Sequence, residues 1–484
     1  MKKFIFPALF AFLFVFASCM NMSGSSGEGG SVRVVLPGSA RYSFSQDKAD
    51  KFVVTITLGS TLVATKTEFS GGVIEFDELN PGDYTIEAKA FDSNEGDLVV
   101  GWGISSATVN AGESTDCALA LALTKCISTF DSVPSSSKYK YLAVASSADM
   151  VKLGEWIKSG SDLEGITITL ADDVDLSDCT DWQPIGFVSE SENKPFKGTF
   201  DGRGHSLSFD IGNIDSSNRF RKIGVFYKND GVIENLVISQ YLQDGKTLIV
   251  YGNSSQYAYS NAGGGICIEN SGIVRNCINK SSIVASTYSD IGGICMSNAE
   301  TGIIENCLFS GSITMNAKCS NGGDNQKSAG ICPRNNGIIK NCVSNGSITT
   351  EAETDQNLPD SILNNISGAI SVYTEGFIEN CYWLKNNIKS GSSNKNRIAY
   401  TKSTYKKLTC IPDPSKITGC GWFDTNSPSA SVTAGTTSEC KSAQTLAYSG
   451  TLLEMLNAYV AANSDSELKK WTTGADGNLA FVYK

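Results

Sequence analysis

Between residues 31 and 124, hydrophobic and polar positions alternate in short bursts. "SVRVVLP", "KFVVTITLG", "TLVATKTEF", "GVIEFDEL", "DYTIEAKAFD", "LVVGWGISSATV" and "CALALAL" each carry a period of two and are divided by Gly, Asn and Asp turns. A side chain returning to one face every second residue marks a half-buried strand, and a run of such strands predicts a β-sandwich. The period lengthens at "SSADMVKLGEWIKSG". There Met150, Leu153, Trp156 and Ile157 fall on one helical face between an N-capping Ser147 and a terminating Gly160. A second amphipathic run, "SGTLLEMLNAYVAAN", puts Leu452, Leu453, Leu456, Tyr459 and Val460 on one face and predicts a helix that seals the far end of the chain's middle part.

That middle part repeats one phrase: "IGVFYKNDGVIENL", "GGICIENSGIVRNC", "GGICMSNAETGIIENC", "AGICPRNNGIIKNC" and "SGAISVYTEGFIENC". Aligned on Gly231, Gly272, Gly302, Gly337 and Gly376, the third column onward is always charged: Glu234, Arg275, Glu305, Lys340 and Glu379. Such a column is expected to face water. The next is always asparagine, at Asn235, Asn276, Asn306, Asn341 and Asn380, and Leu236, Cys277, Cys307, Cys342 and Cys381 close the unit. Plain alternation from an outward charge would turn the apolar cysteine column outward too. An asparagine corner removes the conflict, because Asn tolerates left-handed angles that bend a strand and reset its alternation. Stacked corners also let side-chain amides bond one another as a ladder. Ile283, Ile313 and Ile348 mark a further strand after the cysteines, so that "GGIC", "GIIENC" and "GSIT" form one coil of a three-faced solenoid. The fold class expected is all-β: an N-terminal β-sandwich followed by a right-handed parallel β-helix with helical end caps.

The repeat "GG-I/L" followed by "G-x-I-x-N-C" resembles the GLUG-motif family over roughly residues 139 to 385, and "YLAVASSADMVKLGEWI" is similar to the segment that leads into its repeats. The resemblance implies a solenoid in a bacterial surface or secreted protein. Some immunoglobulin-A-specific metallopeptidases carry these repeats, but their zinc protease needs H-E-x-x-H, which this sequence lacks. Upstream, Phe76-Asp77-Glu78-Leu79-Asn80-Pro81-Gly82-Asp83-Tyr84 resembles the "L-x-P-G-x-Y" turn of immunoglobulin-like and carboxypeptidase-regulatory-like modules. At the start, Lys2 and Lys3 precede an apolar run over 4–16 and then Ala17-Ser18-Cys19. That run is too short for a membrane span and reads as an export signal. It resembles a bacterial lipobox, with Phe16 where leucine is usual, and implies acylation of Cys19 and an outer-membrane lipid anchor. The expected organisation is a lipoprotein signal peptide (1–19), a Gly/Ser tether (20–30), an immunoglobulin-like sandwich (31–124), a linker (125–138), a GLUG-like β-helix (139–385) and a C-terminal extension and cap (386–484).

Charge and composition narrow the chemistry. A formal net charge of −11 and no basic run argue against a nucleic-acid partner. The single histidine, His205, excludes multi-histidine metal sites and reads as a turn residue; no metal and no cofactor are expected. Fifteen cysteines in an exported chain would ordinarily pair. Yet Cys267, Cys295 and Cys332 form one column and Cys277, Cys307, Cys342 and Cys381 another, where in-register side chains point the same way and suit stacked thiols better than disulfide torsions. Cys410, Cys420 and Cys440 lie outside these columns and are the candidates for pairing. "ADDVDLSDCTDW" gathers Asp172, Asp173, Asp175, Asp178 and Asp181, which could ligate calcium or do acid–base work but read as a solvated rim. Insertions after Ser239, Ile283, Ile313 and Ile348 are expected to leave the solenoid at one corner. They carry Tyr241, Tyr251, Tyr257, Tyr259 and Tyr288, rings suited to stacking on sugars, and these are the candidate ligand-binding residues. The expectation is therefore a surface-displayed, non-enzymatic, adhesin-like binding module. Its partner would be a glycan or a host or extracellular protein, and it would meet the membrane through the anchor alone. The alternatives are a structural envelope component and a β-helix lyase or glycosidase acting on polysaccharide.

Overall fold

The computed structural model describes residues 29–36, 49–69, 72–92, 98–177, 179, 182–189, 191–208, 222–239, 248–250, 261–286, 289–317, 327–352, 366–385, 388–390, 416–434, 445–464 and 467–483. Cys19, Tyr241, Tyr251, Tyr257, Tyr259, Tyr288, Asp178, Asp181, Cys410 and Cys440 lie outside the described residues.

Alternating burial builds the first part. Lys51–Leu58 buries every second residue against a neighbouring sheet, and the same pattern recurs in Gly82–Asp92. The five-stranded sheet runs in the order Thr61–Glu68, Lys51–Leu58, Gly82–Asp92, Leu98–Val109, Ala122–Leu123. It faces a three-stranded sheet of Val73–Leu79, Gly30–Val35 and Ser114–Ala118. Val32, Val34, Phe52, Val54, Ile56, Phe76 and Ile86 fill the space between them. At the "N-P-G-D-Y" turn, the buried Tyr84 donates its hydroxyl hydrogen to Asn80 O at 2.9 Å, which pins the turn to the strand it feeds.

Residues 125–138, expected as a linker, are built into the second part. Lys125–Cys126 pairs in parallel with Tyr141–Val144, the next strand of the long sheet, and Ile127 is fully buried in the solenoid core. Asp149 holds this segment in place: its carboxylate accepts from Ser128 N at 2.8 Å, Ala145 N at 3.0 Å and Ser146 Oγ at 2.8 Å. Helix α1 spans Ser147–Lys158, and its N-cap is Ser146, one residue before the expected position. Met150, Leu153, Trp156 and Ile157 close the core over the first coils.

The solenoid is a stack of parallel strands. A ten-stranded sheet and a nine-stranded sheet run along its length, and three five-stranded sheets complete the coils. One coil comprises Asn261–Gly264, Cys267–Asn270, Ile273–Arg275, Ile278–Asn279 and Ser282–Ser286. Each pairs in register with the next coil: Cys267 with Cys295, Val274 with Ile304, Ile278 with Leu308, Ile283 with Ile313. A coil thus has five strand positions where three were expected, because the "GGI" corner and the asparagine corner each divide one apparent strand in two. Val274, Ile304 and Ile339 stack in the core, as do Ile283, Ile313 and Ile348.

Helix α2, Leu452–Ala462, opens on a capping box between Thr451 and Glu454. Expected across the far end, it instead lies along a flank. The physical reason is the outward row Ile278, Leu308, Val343 and Tyr382, apolar side chains on the nine-stranded sheet that need cover; Leu452, Met455, Leu456, Trp471, Leu479 and Phe481 supply it. The C-terminal segment thereby runs back over several coils and places Tyr483 against Gly204. Among the described residues, no helix is long and apolar enough to cross a membrane.

Candidate functional site

The repeated polar residues come together at two corners of every coil. Asn235, Asn276, Asn306, Asn341 and Asn380 have φ between 50° and 55°, the left-handed region that few residues other than Gly and Asn enter cheaply. The amides of the first four form a ladder, which stops at Asn341: its Oδ1 and that of Asn380 are buried and accept no hydrogen bond. Asn341 Nδ2 donates to Asn306 Oδ1 at 2.7 Å, Asn306 Nδ2 to Asn276 Oδ1 at 2.8 Å, and Asn276 Nδ2 to Asn235 Oδ1 at 3.1 Å. Asn235 Nδ2 ends the row on Asp201 Oδ1 at 2.8 Å. The C-terminal segment docks on this ladder: Glu467 O accepts from Asn276 at 2.8 Å, Lys469 O from Asn306 at 2.9 Å, and Trp471 Nε1 donates to Asn306 Oδ1 at 2.5 Å.

A second amide ladder escaped sequence reasoning. Asn229, Asn270, Asn298 and Asn335 are at most 1% exposed; each of the first three donates from Nδ2 to the next Oδ1 at 2.8 Å, and Asn335 Nδ2 ends the row on Phe377 O at 3.2 Å. The signal was an asparagine just before the repeat glycine. It was blurred because "NAETG" carries two more residues than "NDG", "NSG" or "NNG".

Both cysteine columns are buried thiols. Cys267 and Cys295 Sγ lie 3.3 Å apart. In the other column each thiol donates to the carbonyl two residues earlier, at 3.2 Å from Cys277 to Arg275 O and 3.3 Å from Cys342 to Lys340 O. Cys420, expected to pair, continues this column as a free thiol 3.2 Å from Thr418 O. Gly419, with φ 67°, takes the asparagine's place there. Burial pushes the thiols of Cys295, Cys307, Cys332 and Cys381 well above the ordinary thiol range, which leaves them protonated and poor nucleophiles.

The charged column does not simply face water. Arg275 grips Glu234 through Nε and Nη2, both at 2.6 Å, and Lys340 meets Glu305 at 3.0 Å. Glu305 is only 5% exposed. The alternation of sign along the column is what permits burial under the C-terminal segment, since each cation stands between acids of adjacent coils. Burial pushes the Glu234 carboxyl up, with Arg275 opposing it.

The acidic run is occupied locally. Asp173 Oδ1 accepts from Ser206 N at 2.6 Å and stands 3.7 Å from His205 Nδ1. Asp175 accepts from Ser177 N and Oγ, both at 2.9 Å, and from Ser208 Oγ at 3.2 Å. No cluster of three or more His, Cys, Asp or Glu that could hold a metal ion exists among the described residues.

The insertions are placed by the strands that flank them. Leu248–Val250, Ser282–Ser286, Ser312–Ala317 and Ser347–Ala352 share one sheet; Asn261–Gly264, Ser289–Gly292, Lys327–Ala329 and Ile366–Gly368 share another. Residues 251–260, 287–288, 318–326 and 353–365 therefore connect the same two sheets in successive coils. Residues 240–247 do not. They precede Leu248–Val250, which pairs with Ser282–Ser286, and so join the nine-stranded sheet to that sheet.

These features define a class: an all-β protein in which a β-sandwich leads directly into a parallel β-helix. No protein-family model and no curated protein matches the chain. Among solved structures, the chain is similar to a candidate immunoglobulin A1 protease from Bacteroides ovatus. The two share 17% identity over 72% of this chain and 94% of that one, with a TM-score of 0.37, a likeness that carries nothing about activity.

Proposed function

We propose that the chain is a GLUG-like lipoprotein of the bacterial cell envelope, anchored through Cys19, that binds a glycan or a host or extracellular protein without catalysis. The observation that supports this reading is the shared corner. Four successive connections, 251–260, 287–288, 318–326 and 353–365, begin and end on the same two sheets, so their ends are ranked along one edge at the coil spacing. Tyr251, Tyr257, Tyr259 and Tyr288 belong to these connections, and loops on a rigid frame are where recognition is ordinarily placed. The repeated polar residues favour the same reading: both asparagine ladders and the charge column are engaged in holding coils together. Residues 31–484, made without the signal and tether, are to be tested on an array of glycans and extracellular host proteins, and for release of reducing or unsaturated sugars. Specific retention with no sugar release is the expected result. Sugar release from a polysaccharide would replace this reading with an enzymatic one, and retention of nothing on the array would leave a structural role in its place.

A further inference from the structure

The outward stripe of α1 departs from an ordinary solvated helix face. Val151 is 43% exposed, and Gly154 and Lys158 follow it one and two turns on, opposite the side that enters the core. Glycine inside a helix is destabilising relative to alanine and needs a reason. At Gly154 neither usual reason applies: its φ is not positive, and a Cβ there would meet no atom within 4 Å. What stands over it is a cleft of about 460 Å³, a volume in the ordinary range of small-molecule sites.

The opposite wall is the segment 182–187, which presents Trp182, Gln183 and Phe187. That wall is fixed from behind. Ile185 N donates to Val225 O at 2.8 Å, Lys194 N to Gly186 O at 2.8 Å, and Trp182 Nε1 to Gly224 O at 3.4 Å. Both walls are therefore in place before any ligand arrives, which lowers the ordering cost of binding.

We propose that this cleft binds a mono- or disaccharide. Trp182, packed in part on the solenoid core, and Phe187, packed in part on Tyr227, are half-buried and border the cleft, where their remaining apolar surface would meet the C–H face of a sugar ring. Lys158, Gln183 and Glu155 stand around it as donors and acceptors for hydroxyl groups. One cation and one carboxylate among them leave the lining without net charge, which suits a neutral, amphipathic ligand rather than a phosphate. Gly154 leaves the floor clear for the ring. The site lies beside the N-terminal helix, is distinct from the loop edge, and stands or falls independently of it.

The test uses the full-length protein in a detergent without a sugar headgroup. Saturation-transfer NMR and calorimetry are run with glucose, galactose, mannose, N-acetylglucosamine, cellobiose, lactose and chitobiose. At least one of these is expected to bind. Gly154→Met should then weaken it by at least about tenfold while leaving the melting temperature equal or higher, since methionine is the better helix former; Trp182→Ala should abolish it. The inference is overturned if no sugar of the panel binds, or if Gly154→Met binds as the unaltered protein does. It is equally overturned if Gly154→Met lowers the melting temperature, which would make the glycine structural.

Discussion

Replacing Asn306 with alanine removes more than a hydrogen bond from the ladder. Asn306 is fully buried, donates to Asn276 Oδ1 and Lys469 O, and accepts from Asn341 Nδ2 and Trp471 Nε1. Asn341 keeps its bond to Leu456 O and Asn276 Oδ1 keeps Lys469 N. Trp471, 1% exposed, keeps nothing for its indole N–H once Asn306 is gone. Stranding that donor costs about 1–3 kcal/mol. Forcing an alanine to hold φ 54° adds about 1–2 kcal/mol. With the lost ladder bonds, Asn306→Ala should destabilise this region by about 3–5 kcal/mol. Asn306→Gly should lose only the side-chain part, about 2–3 kcal/mol. Because coils of a solenoid open semi-independently, the assay is native-state hydrogen exchange at the amides of Leu308 and Val343, which bond to Cys277 O and Cys307 O, with thermal melts alongside. An alanine variant within about 0.5 kcal/mol of the unaltered protein, or a glycine variant no better than alanine, would refute the reasoning.

Glu305→Gln should destabilise by about 1–3 kcal/mol, because it removes the carboxylate that Lys340 meets at 3.0 Å at a nearly buried position and leaves Lys340 only Glu379 of the next coil as an acidic neighbour; thermal melts check it, and a neutral effect would mean that the column is in fact solvated. Glu234 titrates in the opposite sense to most paired carboxylates. Its pKa is raised above 4.5 by burial, so the folded state binds the proton more tightly and this group's contribution falls as pH rises from about that value through the folded pKa. The difference between melting curves of the unaltered protein and Glu234→Gln should show that slope, and a flat or inverted difference would contradict it. Cys19→Ala should abolish acyl labelling and move the protein from the membrane fraction to a soluble or uncleaved pool. A variant still membrane-bound at its mature size would exclude the anchor.

Much of the coil was legible because one column obeys a backbone rule. An asparagine at every repeat, between a charge and a small apolar residue, is difficult to explain except as a left-handed corner, and Asn235 to Asn380 occupy such corners in this structure. What stayed hidden depended on partners remote in sequence. Glu305 reads as a surface charge until Lys340 on the next coil and the C-terminal segment cover it. Cys420 reads as a stray thiol because Gly419, not asparagine, makes its corner. The place of α2 could have been inferred from the outward apolar row Ile278, Leu308, Val343 and Tyr382, which no single repeat displays as anomalous. The division of residues 240–260 by Leu248–Val250 was signalled only by that short apolar run, and its place in the coil follows from pairing with Ser282–Ser286.

We propose that recognition lives in the loops ranked along one edge while the repeated residues serve the frame. It is tested most directly by changing Tyr257 and Tyr259 together to alanine and measuring affinity for a ligand found on the array. Binding should weaken at least tenfold, about 1.4 kcal/mol, with a melting temperature nearly unchanged. Undiminished binding by a fully folded variant would contradict it and move the site elsewhere, with the cleft beside α1 and then the sandwich the places to look.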